Sequence, residues 1–553
     1  MKQMSSARPA VLLQAFLLGV CLAISAAAQA AHDHQSGDRV ELGRVNFPIS
    51  CRREVQEPFN QAVAWMHSFE YEEAEKVFTQ ITVSDPNCGM GYWGIAMSKY
   101  HPIWAPPSAA ELRAGREAIE KASSVGAKTQ RERDYIDAAK TFYKDTETAG
   151  HRARANAFSD AMGRLHGRYA TDNEAGVFYA LTLVAKGMAA SDKTFANEKK
   201  AAEILNRILV TEPKHPGVTH YLIHGYDYPR LARLALPAAR RYAKLAPASA
   251  HAQHMPSHIF TRLGLWQEAI ASNLDAKASA EAYAVRHKLP GAWDEKLHAM
   301  DYLVYAYLQG GQDRKAKAVM DEMAAIKRVD PPNFKVAYSV TAIPARYALE
   351  RRQWKEAANM PMPRDLEGLS WANFKWAVAH IHFARGIGAA RMGNSTALRQ
   401  EVEKLSSIRQ DLLEIKGDYD WGKQVEIKRQ VAAAWLAYSE GDREESIRLM
   451  RLAAELDDAT EKHPVTPGTV LPAREQLGEL LLELNQPAAA LNEFEAGLRR
   501  TPNRFNAIYG AARAAKLMGD RKKAQAHYRN LVNLSRYSDS NRLAIQEAKT
   551  FTR

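Results

Sequence analysis

The amino-acid sequence predicts an all-α solenoid built from stacked antiparallel helix hairpins. One observation is a spaced pattern of small residues and proline: Ala201, Leu205 and Pro213 return as Ala235, Ala239 and Pro247, and Ala269, Asn273 and Ala276 carry the same register on. Composition is another. Only 31 Gly and 24 Pro occur in 553 residues, while Ala, Leu, Glu, Lys and Arg dominate, a balance that favours helix. The third is size: 46% hydrophobic content over this length can bury a large core, and a stacked array carries it without splitting into separate globules.

The period is about 34 residues, and it resembles the tetratricopeptide (TPR) repeat. Each such unit is two antiparallel helices whose small residues allow close approach. The apolar face left by one hairpin is covered by the next. The resemblance implies a right-handed superhelical solenoid in which the first helix of each unit lines a concave groove at repeat positions 2, 5, 9 and 12. In this register His220, His224 and Asp227 fall at positions 5, 9 and 12 of one unit, and His251, His254 and His258 at positions 2, 5 and 9 of the next. Spacings of three, four or seven residues put each trio on one helical face.

From the N-terminus, Lys2 and Arg8 precede an apolar run over 11–24, and Ala28-Gln29-Ala30 supplies a small-x-small site. The pattern predicts a signal peptide cleaved after Ala30, and a periplasmic or secreted product. Cys21, preceded by Val20, fits poorly as a lipid-anchor site. No later run is apolar for the ~20 residues a membrane span needs. Residues 31–50 read as an extended lead-in, with His32 and His34 in a short polar tail. The formal net charge of +12 is mild for this length and spread along helices. No dense basic run with interleaved aromatics suggests nucleic-acid binding. Cys51 and Cys88 remain after export, and an even count in an oxidising compartment predicts a disulfide clamping the terminal hairpin.

The first clear unit runs over 54–86, with Tyr71, Ala74, Phe78 and Pro86 at the expected steps. A second starts at Gly89 and is broken by the prolines of His101-Pro-Ile-Trp-Ala-Pro-Pro. Residues 108–170 read as two degenerate hairpins, and 174–210 lead in register into the histidine segment. An insertion or a lengthened hairpin is expected over 279–294. Asp301 then stands at position 5 of the next unit, Trp354 and Ala357 mark another, and 371–385 carries His380 and His382. Two well-formed units close the chain, marked by Leu477, Gly478, Ala490, Phe494 and Pro502, then by Tyr509, Ala512, Gly519, Ala524 and Tyr528. A capping helix over 541–551 follows.

The stretch 215–260 holds the chemistry. Neutral imidazole is a common ligand for zinc, copper, nickel and iron. His220, His224, Asp227, His254 and His258 are the candidate metal set, and an open coordination position there would support a metal-dependent hydrolase or oxidoreductase. The favoured reading is an exported binding scaffold whose polar concave groove holds a peptide, protein or small-molecule ligand through Lys186, Tyr221, Tyr226, His251, Ser257 and Asp301, with a divalent metal able to share the site; the metal-dependent enzyme is the alternative. His215, beside Pro216, reads as structural; His287, His298, His380 and His382 read as structural or surface, with His298 next in line for the site. Phosphate-loop, nucleophile-elbow, CxxC and dinucleotide signatures are missing, as is HExxH.

Beyond the repeat, four stretches resemble a group of exported bacterial TPR proteins: His215-Pro-Gly, the run from His220 to Asp227, the run from His251 to Phe260, and the Asp301-Tyr-x-Val-Tyr-x-Tyr-Leu run. The resemblance spans most of 55–385 and implies a fold and a compartment, with no reaction attached. The expected organisation is a signal peptide (1–30), lead-in (31–50), TPR-like solenoid with the histidine groove (51–390), helical connector (391–428), and C-terminal repeats with a cap (429–553).

Overall fold

The computed structural model describes residues 41–104, 106–189, 192–415 and 419–553. The signal peptide, Cys21, His32 and His34 lie outside the described residues. Leu42–Arg553 form one unit.

Twelve helix pairs and a terminal helix follow one another among the described residues, from Gln56–His67 with Tyr71–Ser84 to Phe505–Leu517 with Arg521–Leu534 and the cap Leu543–Thr552. Each helix packs chiefly on its neighbours in sequence. This is the all-α TPR-like superhelical solenoid. The pairs form because alanines stand where helices touch. Ala74, Ala201, Ala235, Ala239, Ala269, Ala316, Ala490 and Ala524 are all 0–1% exposed, so backbones approach closely along the stack. The described sheet is minimal: Ala292–Trp293 pairs in parallel with Val329–Asp330. Its first strand falls within 279–294, the first half of which is the last turns of the 21-residue helix Trp266–Arg286, a lengthened hairpin.

The lead-in is partly built into the core. Residues 42–49 have no helix, yet Leu42 and Phe47 are buried, with Phe47 edge-on to Phe59 and Trp93 at 5.4 and 5.6 Å. Cys51 and Cys88 are joined, with Cα atoms 5.1 Å apart, and close the first hairpin. The stretch 391–428 contains the Ser395–Leu412 helix and the start of Trp421–Ser439. No helix among the described residues is long and apolar enough to cross a membrane.

The superhelix is filled by its own chain. The loop after Arg443–Ala459 turns inward: Val465 accepts a hydrogen bond from the Tyr302 hydroxyl (3.1 Å), and Lys462 reaches Asp227 at 2.8 Å. From the other side, His67, Phe69 and Glu70 cover the histidine segment. The hydroxyl of Ser249 donates to Glu70 at 2.7 Å, and the Phe69 ring lies 4.4 Å from that of His220. Most residues expected on a concave groove wall are therefore interior; Lys186 and Tyr226 stay partly exposed.

Candidate metal centre

The His215-Pro-Gly sequence explains how the first histidine helix is placed. His215 caps Pro216–Gly225, its Nδ1 accepting from the Val218 amide at 3.3 Å, and Pro216 occupies the first turn, where a missing N–H costs nothing. Gly217 lets the helix approach closely, since a Cβ there would meet the His67 ring at 2.8 Å. The second helix is interrupted at Met255 because Pro256 has no N–H, leaving Ala250–His254 and Pro256–Arg262. A third, Asp294–Gln309, contributes His298.

These helices assemble two trios. In one, ring nitrogens of His220, His224 and His251 all lie within 4.8 Å of one another; in the other, those of His254, His258 and His298 do so. The trios adjoin, with the rings of His224 and His258 6.1 Å apart. All six side chains are buried.

Hydrogen bonding fixes the tautomers of the second trio. Asn273 donates its amide N–H to the Ala269 carbonyl at 2.7 Å, so its Oδ1 is the atom that accepts from His254 Nδ1 at 2.7 Å. His258 donates Nδ1–H to the Asp227 carboxylate at 3.0 Å. Both Nε2 atoms are then bare in the neutral rings, and they face one another at 3.1 Å. Two lone pairs at that distance repel, and no water fits between them. Nitrogens sharing one tetrahedral ion at ~2.0–2.1 Å stand roughly 3.3 Å apart. In the first trio His220 donates Nδ1–H to the His67 carbonyl at 2.7 Å, so its Nε2 is bare toward His251 Nε2 at 3.1 Å. His251 can supply a proton there, but both nitrogens of His224 are buried with no hydrogen-bond partner among the described residues.

Burial holds His224, His251, His254 and His298 well below the ordinary histidine value, with neighbouring imidazoles adding to the effect. His220 is drawn down to about 3, again chiefly by burial, and His258 is lowered too. At neutral pH the six rings are uncharged, each with one N–H and one lone pair to offer.

A third group, His67, Glu174 and His215, also has ligand atoms within 4.8 Å. Its bonds are complete. Glu174 accepts from His67 Nε2 at 2.9 Å and His215 Nε2 at 2.8 Å, and the Tyr221 hydroxyl donates to His67 Nδ1 at 2.8 Å. Nothing remains to bind an ion.

Asp227, expected in the metal set, lies outside both trios. Its carboxylate is shared by His258, Arg262 (2.8 Å) and Lys462 (2.8 Å), so it orients His258 from outside the ligand set. Burial raises its carboxyl, but Lys462 and Arg262 outweigh that and hold it well below the usual range. Of the expected ligand-binding residues, His251 joins the first trio, and Tyr221 lies beside His220 with rings 5.4 Å apart. Lys186 stands 3.7 Å from Asp160, Tyr226 is half-buried against Phe195, Tyr228 and Leu231, and Asp301 faces Arg346 at 3.9 Å, its carboxyl pushed up to about 6 by burial. Ser257 is buried and its hydroxyl has no partner among the described residues. Sequence reasoning missed Asn273 and Arg262 as supports. Asn273 stood in the repeat register, and Arg262 is four residues beyond His258, so both carried a readable signal.

A cavity of about 300 Å³ opens beside the first trio, with His251, Phe69 and Trp104 in its wall. The Trp104 ring lies 5.6 Å from that of His224 and 5.7 Å from that of His251. No residue of the second trio lines it.

No protein-family model matches the sequence, and no curated protein matches it. Solved helical-repeat structures do. A tetratricopeptide repeat protein from Parabacteroides merdae is 11% identical, covering 55% of this chain and 98% of its own, with a TM-score of 0.28. The human IFIT1 dimer with m7Gppp-AAAA is 12% identical over 85% of this chain and 95% of its own, at 0.35. Cut9 of the APC/C hetero-tetramer Cut9–Hcn1 is 12% identical over 90% of each chain, at 0.30. The helix pairs of this chain themselves carry the conclusion on fold: it is a TPR-like all-α solenoid.

Proposed function

We propose that this protein is an exported metalloprotein whose TPR-like coil encloses two adjacent three-histidine sites for first-row transition metal ions. The observation that carries the reading is the pair of bare Nε2 atoms of His254 and His258 at 3.1 Å, with both Nδ1 protons already donated elsewhere. Burying an imidazolium beside Arg262 and Lys462 instead would be costly, and a metal ion relieves the repulsion without it. An all-imidazole donor set suits copper, zinc, nickel and iron, and the general affinity order puts divalent copper first. Three protein ligands leave each ion a position for an exogenous group. The cavity beside His251 gives that position on the first ion a route to small molecules, and this favours metal-dependent chemistry on a guest over storage. The Cys51–Cys88 disulfide supports an oxidising compartment.

Metal analysis of the full chain, purified without a histidine tag, tests the proposal. Two equivalents of copper or zinc are expected, falling toward one in either His224→Ala or His258→Ala. Asn273→Ala keeps the ligands and removes their orientation, so metal affinity should fall by about 10–100-fold while circular dichroism stays unchanged. Sub-stoichiometric metal, with no rise in Tm on adding copper, zinc, nickel or iron, would overturn it.

A further inference from the structure

The cavity beside the first trio has a charge the rest of the chain does not. Seven acidic side chains line it, against two lysines and two histidines; Glu70 among them is held neutral, its carboxyl pushed up to about 8 by burial. The lysines are already engaged: Lys99 with Glu75 at 2.6 Å, and Lys335 with both Asp294 and Glu295, so those three carboxylates are spoken for. Glu72 makes no close ion pair among the described residues, and Glu73 has Lys76 at 2.7 Å and the Tyr283 hydroxyl at 2.9 Å. A negative cleft in a chain of formal charge +12 is a local concentration.

The walls between these carboxylates are aromatic: Phe69, Tyr71, Trp104, Tyr283, Trp293 and Phe334. Tyr283 and Trp293 stack at 4.0 Å, and Phe69 stacks on Tyr71 at 5.4 Å. Aromatic faces attract organic ammonium groups through the ring quadrupole and bury the attached carbon skeleton. A hydrated metal ion gains little from such walls. The volume of about 300 Å³ stands at the lower end of the ~300–1,000 Å³ range for small-molecule sites and is too small for a folded partner.

We infer that this cleft binds a small organic cation, an amine with an aromatic or apolar body, whose ammonium sits beside Glu72 and Glu73 and whose other end meets Trp104 and His251. That the guest is presented to a metal ion at His220, His224 and His251 rests on the reading above; that it binds does not.

Calorimetric titration of the full chain with phenethylamine, and with 2-phenylethanol as the uncharged control, tests this. Phenethylamine should bind at least tenfold more tightly than the alcohol, in metal-free and metal-loaded protein alike. The double variant Glu72→Gln, Glu73→Gln changes two residues on the first turn of one surface helix. It should weaken the amine at least fivefold and leave the alcohol unchanged. In copper-loaded protein, bound amine should slow extraction of one of two ions by a chelator. Equal affinities for amine and alcohol would overturn the inference. So would a double variant that binds the amine normally but loads copper slowly, which would make the cleft an ion path. Amine binding by a protein that takes up no metal would remove the metal reading alone.

Discussion

At the scale of single residues, the two kinds of buried histidine group differ in whether their protons and acceptors balance. Glu174 accepts two imidazole N–H bonds and is 1% exposed. Burial raises its carboxyl, but the neighbouring His215 and His67 overcome this and hold it at about 2 in the folded chain, against 4.5 unperturbed. A carboxyl whose pKa is depressed on folding adds stability that is complete above its unfolded value and is lost as pH falls through the folded one. The window here is therefore pH 4.5 down to 2. At neutral pH the contribution is on the order of 3 kcal/mol. Comparing denaturant unfolding of wild type and Glu174→Gln across pH should show the difference shrinking through that window. A difference that stays constant below pH 4 would show that the carboxyl is not held ionised. In the two trios the same count leaves nitrogens over, and that surplus is what the proposed metal sites rest on.

At the scale of elements, the first hairpin is the one with a neighbour on one side only, and it is the one that is cross-linked. Cys51 precedes Gln56–His67 and Cys88 follows Tyr71–Ser84, so the bond spans 37 residues of chain. Closing a loop of that length stabilises by about 4 kcal/mol through the unfolded state, less any native strain. This hairpin also supplies the His67 carbonyl and the Phe69 ring that hold His220. The Cys51→Ser, Cys88→Ser variant should unfold at lower denaturant, with a loss of about 2–4 kcal/mol, and should bind metal at the first trio less tightly. Chelator competition reads the second effect. Unchanged affinity would mean that the hairpin holds its place without the bond.

At the scale of the whole unit, the distant repeats are tied together by buried charge. Arg504 hydrogen-bonds Glu350 at 2.6 Å and Tyr305 at 3.0 Å, and it pairs with Glu475. Nearby, the Trp266 indole donates to the Asn503 carbonyl at 2.7 Å, so the C-terminal hairpins are pinned across the helices that follow the histidine segment. Arg504→Ala leaves two buried carboxylates uncompensated and should destabilise by about 3–5 kcal/mol. Replacing all three charged groups with apolar residues of similar size should recover much of that loss. A thermal melt of both variants checks it. Equal melting of the single and triple variants would show that the cost is lost packing alone.

Most helix pairs were legible because their cause is local: an alanine register and a 3.6-residue period repeat without reference to distant chain. Where that register fades, over 108–170 and 391–428, the expectation is two degenerate hairpins and a connector, and the structure has three helices in the first and, in the second, Ser395–Leu412 and the start of Trp421–Ser439. The disulfide was legible for the same reason, since one hairpin brings Cys51 and Cys88 together. Four of the six clustered imidazoles, His220, His224, His254 and His258, could be read as a metal set from their spacing on neighbouring helices, and His251 as a groove residue. The exclusion of Asp227, the inclusion of His298 and the sorting into two trios could not. Those depend on Lys462 arriving from a loop 235 residues away in sequence and on the His67 carbonyl 153 residues before His220. An open groove was the natural expectation from repeat periodicity, which describes how each hairpin meets the next. Only the tertiary structure decided that the coil closes on its own chain, because that outcome sums small rotations over many hairpins and no single repeat encodes it.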